Sequence, residues 1–277
     1  MTGGTPEARA INRVLARVAQ EHGLAMGLGS ARALLEAPQL LDTFAVRDVA
    51  PDIALLANLG AVQLNKGYGV EECRRLVDML QADALVLHLN AVQEAVQPEG
   101  DTCFRDLIRK IGVVCKNLGA PVVVKEVGWG IAPHEVRALF DVGAAAIDLA
   151  GAGGTSWSEV ERYRIAEPWR ANVAAAFAGW GIPTAECVRG ATQVHPRGFI
   201  IASGGIAGGM DVVKALALGA DFAGIAGPFL RAAAQGYEAA STLAREIVEV
   251  LRIAMFALGE PTLARLHSTK RIVRERD

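Results

Sequence analysis

The sequence has little of what marks several classes of protein. Of its 277 residues only 5% are aromatic and four are cysteines, and 28 Lys and Arg face 30 Asp and Glu, a formal net charge of −2. This balance argues against a basic nucleic-acid surface. The apolar runs, broken by charge or glycine, are shorter than the roughly 18 to 20 residues of a membrane span. The cysteines lack metal-ligand spacing and no signal peptide is recognisable, so we expect reduced thiols and a cytoplasmic protein.

Apolar residues and glycine are what the sequence has in quantity. Hydrophobic residues make up 52% and there are 30 glycines, which suits helices packed closely on a sheet. Short apolar runs recur, each followed by a turn and a segment with helical periodicity, as expected for a parallel sheet buried on both faces. These runs predict seven strands, at residues 24–28, 53–57, 84–89, 121–127, 145–150, 199–202 and 222–226.

The alternation of strand and helix predicts an α/β fold, a TIM-type (β/α)₈ barrel that forms one domain over residues 1–277. Seven strands are one too few for a closed barrel, and the first predicted element is a helix with Thr5 as N-cap, Pro6 at its first position and Gly23 at its end. We therefore expect the first barrel strand to be missing from this chain. The stretch 157–183 predicts an insertion over the barrel mouth, and 268–277 a charged tail.

Glycines and polar residues follow the predicted strands, where a barrel of this class builds its active site. Their recurrence at the same end of each strand predicts a shared pocket. Two glycine clusters, at 203–206 and 226–227, follow the last two strands. They match a phosphate cradle made of backbone N–H groups and a helix N-terminus, although either cluster alone would also serve as an ordinary turn. Together they favour a phosphate-bearing cofactor.

Other polar groups follow the third and fourth predicted strands. Lys125 ends an apolar strand, where its ammonium can offset negative charge on a cofactor ring, form a Schiff base or pair with Glu126. His88 and Asn90 share a face of their strand because alternate residues do so, and the carboxylate Glu94 follows. One carboxylate beside neutral amides suits Mg²⁺ held with substrate phosphates, and equally suits a solvated acidic loop.

Seven short motifs are spread over the chain. They are Met1-Thr-Gly-Gly4, Met26-Gly-Leu-Gly-Ser30-Ala-Arg32, the block 56–63, the glutamine-rich block 88–101, Val124-Lys125-Glu126-Val-Gly, Gly151-Ala-Gly-Gly-Thr155-Ser-Trp157 and Ser203-Gly-Gly-Ile206. Together they resemble type 2 isopentenyl diphosphate isomerase, the flavin-dependent family, over nearly the whole chain. The blocks 88–101 and 151–157 are the most specific.

The resemblance implies a TIM barrel that binds FMN and Mg²⁺, with NADPH as flavin reductant, and that interconverts isopentenyl and dimethylallyl diphosphates. It implies a homo-oligomer, a tetramer or larger, whose partner is a small-molecule diphosphate rather than nucleic acid or a membrane. Gln93 is the implied catalytic residue, which orients or relays because an amide is no base, and Glu94 is the implied Mg²⁺ ligand. The implied FMN contacts are Thr2, Gly3, Ser30, Asn58, Lys125, Thr155, Gly204, Gly205, Ile206, Ala226 and Gly227, and the implied substrate contacts are Ser30, Ala31, Arg32, His88, Asn90 and Gln93.

Three alanines depart from the pattern of this family. Ala150 stands where a flavin-contacting Ser is common, Ala207 where Arg or Lys is common and Ala31 where Gln is common. The missing first strand and these alanines leave one alternative, an N-terminally truncated, catalytically impaired barrel that binds flavin. Another is a different FMN-dependent barrel oxidoreductase, such as a 2-hydroxy acid oxidase. Such an oxidase needs a His after a late strand, whereas we expect His195 and His267 on helix or loop segments.

Overall fold

A parallel sheet forms the centre of the computed structural model, which describes residues 3–195 and 198–272. Its seven strands lie side by side in chain order and every neighbouring pair is parallel. This is the strand arrangement of a TIM barrel, so the predicted α/β fold is confirmed. The strands are β1 (Met26–Gly27), β2 (Leu55–Gly60), β3 (Ala84–His88), β4 (Val122–Lys125), β5 (Ala146–Asp148), β6 (Phe199–Ala202) and β7 (Phe222–Ala223).

The sheet is open between its first and last strands. Within the described residues β1 is bonded only to β2, and β7 only to β6. Phe199 and Phe222, at the starts of β6 and β7, are each 57% exposed, and their ring centroids lie 6.5 Å apart. A closed barrel of this class has eight strands; the part of the chain that the structure describes supplies seven.

Helices connect the strands and cover the outer face of the sheet. They are α1 (Pro6–His22), α2 (Arg32–Glu36), α3 (Val70–Leu80), α4 (Ala91–Val96), α5 (Leu107–Asn117), α6 (Pro133–Asp141), α7 (Trp157–Arg162), α8 (Pro168–Ala175), α9 (Thr184–Val194), α10 (Gly209–Ala217), α11 (Gly227–Gln235), α12 (Tyr237–Leu258) and α13 (Leu263–His267). Short 3₁₀ helices span Pro38–Thr43 and Ala61–Asn65. No helix among the described residues is long and apolar enough to cross a membrane.

The first helix begins and ends as the sequence predicts. The Thr5 hydroxyl accepts a hydrogen bond from the backbone N–H of Ala8, and Pro6 occupies the first helical turn, where its missing N–H costs nothing. Gly23 ends the helix with φ +63°, a left-handed conformation in which glycine has no Cβ penalty.

Alternating burial within the strands separates an outer core from an inner layer. Leu85 and Leu87 of β3 belong to the main core between sheet and helices. Val86, Val123 and Ala146, on three neighbouring strands, form a separate buried cluster. Because successive residues of a strand point to opposite faces, this cluster lines the inner side of the curved sheet.

The chain between β5 and β6 carries three helices, α7, α8 and α9, where most connections carry one. In this excursion α7 packs against both α4 and α8, so it lies over the loops that follow the strands. The stretch 157–183, which the sequence predicts as an insertion, spans α7 and α8 and ends before α9, whereas residues 273–277 of the predicted tail lie outside the described residues.

Candidate active site

Three polar side chains form a row at the carboxyl rim of the sheet. His88, Lys125 and Asp148 end β3, β4 and β5, and they are paired in register, His88 with Lys125 and Lys125 with Asp148. Each stands two residues beyond a member of the inner apolar cluster and so points to the same inner side. All seven strands are parallel, so the loops that follow them meet at this rim.

His88 is held as a neutral imidazole with a defined tautomer. Its Nδ1 lies 2.8 Å from Asn58 Oδ1, and Asn58 Nδ2 donates to the backbone oxygen of Leu28 over 2.9 Å. Since the amide nitrogen is used on Leu28, His88 Nδ1 donates to the amide oxygen, and Nε2 keeps a free lone pair. Burial, assisted by the Lys125 ammonium, lowers the pKa of His88 to about 3. His88 therefore presents an acceptor at neutral pH.

Lys125 makes its hydrogen bond to backbone rather than to a carboxylate. Its Nζ donates to the carbonyl oxygen of Glu126. The buried Glu126 carboxylate instead accepts three backbone N–H groups, from Val127, Gly128 and Trp129, at 2.7 to 2.8 Å. Burial raises the pKa of Glu126, and the three backbone donors oppose that rise. Glu126 thus holds the loop after β4, and the Lys125 ammonium remains at the rim.

Gln93 is fixed by a residue that sequence reasoning missed. Its Nε2 donates to Glu161 Oε1 over 2.9 Å, and Gln97 Nε2 donates to the same oxygen over 2.7 Å. Glu161 lies on α7 and is 3% exposed. A carboxylate only accepts, so it orients the Gln93 amide with its nitrogen toward α7. In sequence, Glu161 is one of several charges on a short helix, and nothing distinguishes it.

Glu94 is close to the amide of Asn90, at the start of α4. Glu94 Oε1 accepts from Asn90 Nδ2 over 2.7 Å, and Oε2 accepts from the backbone N–H of Asp101 over 2.6 Å. The Oδ1 of the buried Asn90 has no hydrogen-bond partner. The described residues contain no group of three or more His, Cys, Asp and Glu side chains that could hold a metal. A cation here would depend on one carboxylate and at most the neutral oxygen of Asn90, together with ligands from outside the protein.

Two positions after β6 require glycine because of their backbone conformation and their close backbone contacts. Gly204 and Gly205 have φ of +94° and +78°, and a Cβ on either would overlap the carbonyl oxygen of Gly151 or Gly153. The loops after β5 and β6 therefore pack backbone against backbone. Thr184 fixes the contact by donating its hydroxyl to the Gly204 carbonyl over 2.6 Å.

The N-terminus of α11 is one of several helix starts at this rim that have no side-chain cap. Its N-cap is the exposed Ala226, whose side chain makes no capping bond, and Gly227 begins the helix. At α10 the comparable position already has a carboxylate, because Asp211 accepts the backbone N–H of Ala207 over 3.0 Å. Unpaired N–H groups at a helix N-terminus attract an anion. Of these two helix N-termini, that of α11 is therefore the one more open to an anion.

The remaining predicted site residues are less closely grouped. Arg32 follows β1, is exposed and contacts Glu36 at 3.5 Å, and the backbone of Ala31 donates to the Asn58 carbonyl. Gly3 packs against the ring of Phe44, and Thr2 lies outside the described residues. The other three are Ser30, half-buried after β1, Thr155, exposed after β5 beside a cavity of about 300 Å³, and Ile206, half-buried after β6.

Comparisons with known proteins assign the fold to a class. The family model for FMN-dependent dehydrogenase matches residues 76–274. A solved lactate oxidase from Pediococcus acidilactici has a TM-score of 0.66 at 16% identity, covering 94% of this chain and 70% of that one. A mandelate oxidase variant with an FMN adduct has a TM-score of 0.65 at 18% identity, covering 92% and 72%. The chain thus has the fold of the FMN-dependent α/β-barrel enzymes.

Curated relatives narrow this class to one family. The isopentenyl-diphosphate delta-isomerase of Nostoc sp. is 49% identical over 266 residues, which cover 96% of this chain and 76% of the relative. That of a Synechococcus strain is 52% identical over 256 residues, covering 92% and 74%. The chain belongs to the isopentenyl-diphosphate delta-isomerase family.

Proposed function

We propose that this protein interconverts isopentenyl diphosphate and dimethylallyl diphosphate, with FMN and Mg²⁺ bound at the rim and NADPH as the flavin reductant. The observation that supports this best is the convergence of His88, Lys125, Gln93 and Glu94 at the carboxyl ends of β3 and β4 in a member of this family.

We also propose a cytoplasmic location, a homo-oligomer and no nucleic-acid partner. On α12, Ile253 and Phe256 are 58% and 88% exposed, which favours an apolar contact between copies.

The rim has residues suited to both the phosphate and the ring of FMN. The uncapped N-terminus of α11, with Ala226 and Gly227, suits the phosphate, and the half-buried Lys125 suits an electron-rich ring. Reduced FMN supplies the proton donor and acceptor that an alkene requires, since no ordinary side-chain acid protonates an alkene easily. Lys125 stabilises negative charge beside the ring, and the neutral His88 offers its Nε2 lone pair without adding a second cation.

Gln93 is assigned an orienting role. Its amide has no useful pKa, so it does not move a proton as an acid or base. Its hydrogen bond to the buried Glu161 fixes which end of the amide faces the substrate. A substrate positioned in this way reaches the reactive geometry with less loss of freedom.

Glu94 and Asn90 fit a hard cation that is shared with the substrate. Mg²⁺ is commonly held by one or two carboxylates together with substrate phosphates and water. The unpartnered Asn90 Oδ1 is a second oxygen, on the amide whose nitrogen donates to Glu94. Arg32, exposed at the same rim, adds a fork of donors suited to the diphosphate.

The test is conversion of isopentenyl diphosphate by the purified chain with FMN, Mg²⁺ and NADPH. We expect a yellow protein that forms dimethylallyl diphosphate only when the flavin is reduced. Glu94→Gln should remove the Mg²⁺ dependence and most of the turnover, whereas Glu99→Gln, an exposed glutamate nearby, should change neither. Bound flavin without isomerisation would instead support an impaired flavin-binding barrel. Full activity in Glu94→Gln would contradict the metal site.

A 2-hydroxy acid oxidase activity has less support. The rim residues after β6 and β7, all of them described, include no His. His195 precedes β6, and His267 contacts the Gly219 carbonyl before β7, at the opposite end of the sheet. Likeness to oxidases of known structure concerns the fold alone.

A further inference from the structure

Asp148 is a carboxylate of the rim for which the proposed isomerase chemistry has no role. It ends β5, and its register partner on β4 is Lys125, so both side chains point to the inner side of the sheet. Its Oδ1 accepts the Ser203 hydroxyl over 2.6 Å and the backbone N–H of Ala150 over 3.3 Å. Ser203 directly precedes Gly204, in the loop after β6.

Burial and the neighbouring groups act in opposite directions on the pKa of Asp148. Burial raises the pKa of Asp148, while the Lys125 ammonium and the Ser203 hydroxyl stabilise the ionised form. Both described donors, the Ser203 hydroxyl and the Ala150 N–H, are accepted by the same oxygen, Oδ1. On the other side of Lys125, His88 is neutral, so Asp148 is the one ionisable partner of opposite sign in this three-residue row.

We propose that Asp148 is a positioning residue that sets the charge beside the flavin ring by offsetting the Lys125 ammonium. This inference rests on the FMN binding proposed above. A lysine alone would strongly stabilise the anionic, reduced ring. The Lys125–Asp148 pair stabilises it less and leaves the reduced ring more basic, because nearby net charge sets how readily a group binds a proton. Ser203 holds the carboxylate in place for this role.

The test is the midpoint potential of bound FMN, followed by its visible absorbance at pH 8. We expect Asp148→Asn to shift the potential to more positive values and to tighten reduced FMN relative to oxidised FMN. Lys125→Gln should shift the potential the other way. In the Lys125→Gln background, Asp148→Asn should have a smaller effect, since it acts partly through the lysine. Asp141→Asn, at the exposed end of α6, is the control for the loss of one charge and should cause no shift.

A purely structural role would give a different result. If Asp148 only anchors the loop through Ser203, then Asp148→Asn and Ser203→Ala would weaken FMN binding equally and leave the potential unchanged, and this would overturn the inference. The measurement needs bound flavin but no turnover. The inference can therefore fail in an active isomerase, and it can hold in a protein that proves inactive as an isomerase.

Discussion

The side-chain amide of Gln93 and the carboxylate of Glu161 are 68 residues apart in the chain and 2.9 Å apart in the structure. This hydrogen bond joins α4, at the rim of the sheet, to α7, in the excursion between β5 and β6. The excursion thereby contributes to the orientation of a residue at the proposed site. The role of this hydrogen bond can be tested by substituting residues on α7.

We expect Glu161→Gln to lower kcat for isopentenyl diphosphate isomerisation by about tenfold or more. The variant replaces the charged acceptor of a hydrogen bond worth about 1.5 to 3 kcal/mol with a neutral amide. A neutral amide can donate as well as accept, so the Gln93 amide could flip its oxygen and nitrogen. The measurement is kcat with saturating FMN and Mg²⁺, together with the midpoint of thermal unfolding. Arg164→Gln is the control, because Arg164 contacts Glu161 from a position that is 65% exposed, and it should retain activity. Wild-type kcat in Glu161→Gln would contradict an orienting role for the contact.

The low pKa of His88 should make stability fall at acidic pH. Its pKa is about 3 in the folded protein and near 6.5 in an unfolded chain, so between these values the unfolded chain binds more protons. This contribution to the free energy of unfolding is complete above pH 6.5 and is lost as the pH falls toward 3, by at most about 1.4 kcal/mol per pH unit. Urea unfolding at pH 7.5 and pH 4.5 should show a smaller difference for His88→Gln than for the wild type. The exposed His134→Gln is the control for loss of an imidazole, and an equal difference in His88→Gln would refute the assignment.

The glycine loop after β6 offers a matched pair of substitutions. Gly204→Ala places a Cβ on the Gly151 carbonyl in a left-handed backbone conformation, so we expect a loss of about 2 kcal/mol or more in the free energy of unfolding, with weaker FMN binding. Gly208→Ala adds a Cβ in extended backbone with nothing within 4 Å, and should cost less than about 1 kcal/mol. Denaturant unfolding and flavin titration measure both. Similar losses in the two variants would show that loop contact is not the cause.

Stability and flavin affinity should change in opposite directions at the N-terminus of α11. Ala226→Asp places a carboxylate at the positive end of the helix dipole and should stabilise the protein by about 0.3 to 1 kcal/mol, while its charge repels the FMN phosphate and weakens binding at least tenfold. Ala226→Asn adds a side chain of similar size without charge, so it should stabilise less and cost less affinity. Both quantities follow from denaturant unfolding and flavin titration. Unchanged FMN affinity in Ala226→Asp would place the phosphate elsewhere.

Local pattern was sufficient for much of the fold. Thr5, Pro6 and Gly23 define the first helix because capping depends on residues that are neighbours in the chain. The apolar runs predicted all seven strands, since a doubly buried strand must be apolar along its length. Strand ends were less well predicted. The run 24–28 forms only a two-residue ladder, Met26–Gly27, because pairing at an edge depends on a single neighbour.

The residues of the candidate site also fall into those that the sequence predicted and those that it did not. His88, Lys125, Gln93 and Glu94 were predicted because each follows a strand, and parallel strands bring such residues to one rim. Glu161 and Asp148 were not predicted. Glu161 lies among charges that resemble a solvated helix face, and Asp148 is a single acid at a strand end. Their partners, Gln93 and Ser203, are 68 and 55 residues away, beyond the range of any local pattern.

The sequence by itself determined the order of strands and helices, the family, and which polar residues reach the rim, because these follow from periodicity, caps and motifs along the chain. Only the tertiary structure decided the charges at that rim. It keeps His88 neutral, directs Glu126 to backbone N–H groups, and places Asp148 beside Lys125. Burial and cross-strand neighbours control these properties, and both arise only when distant segments pack together.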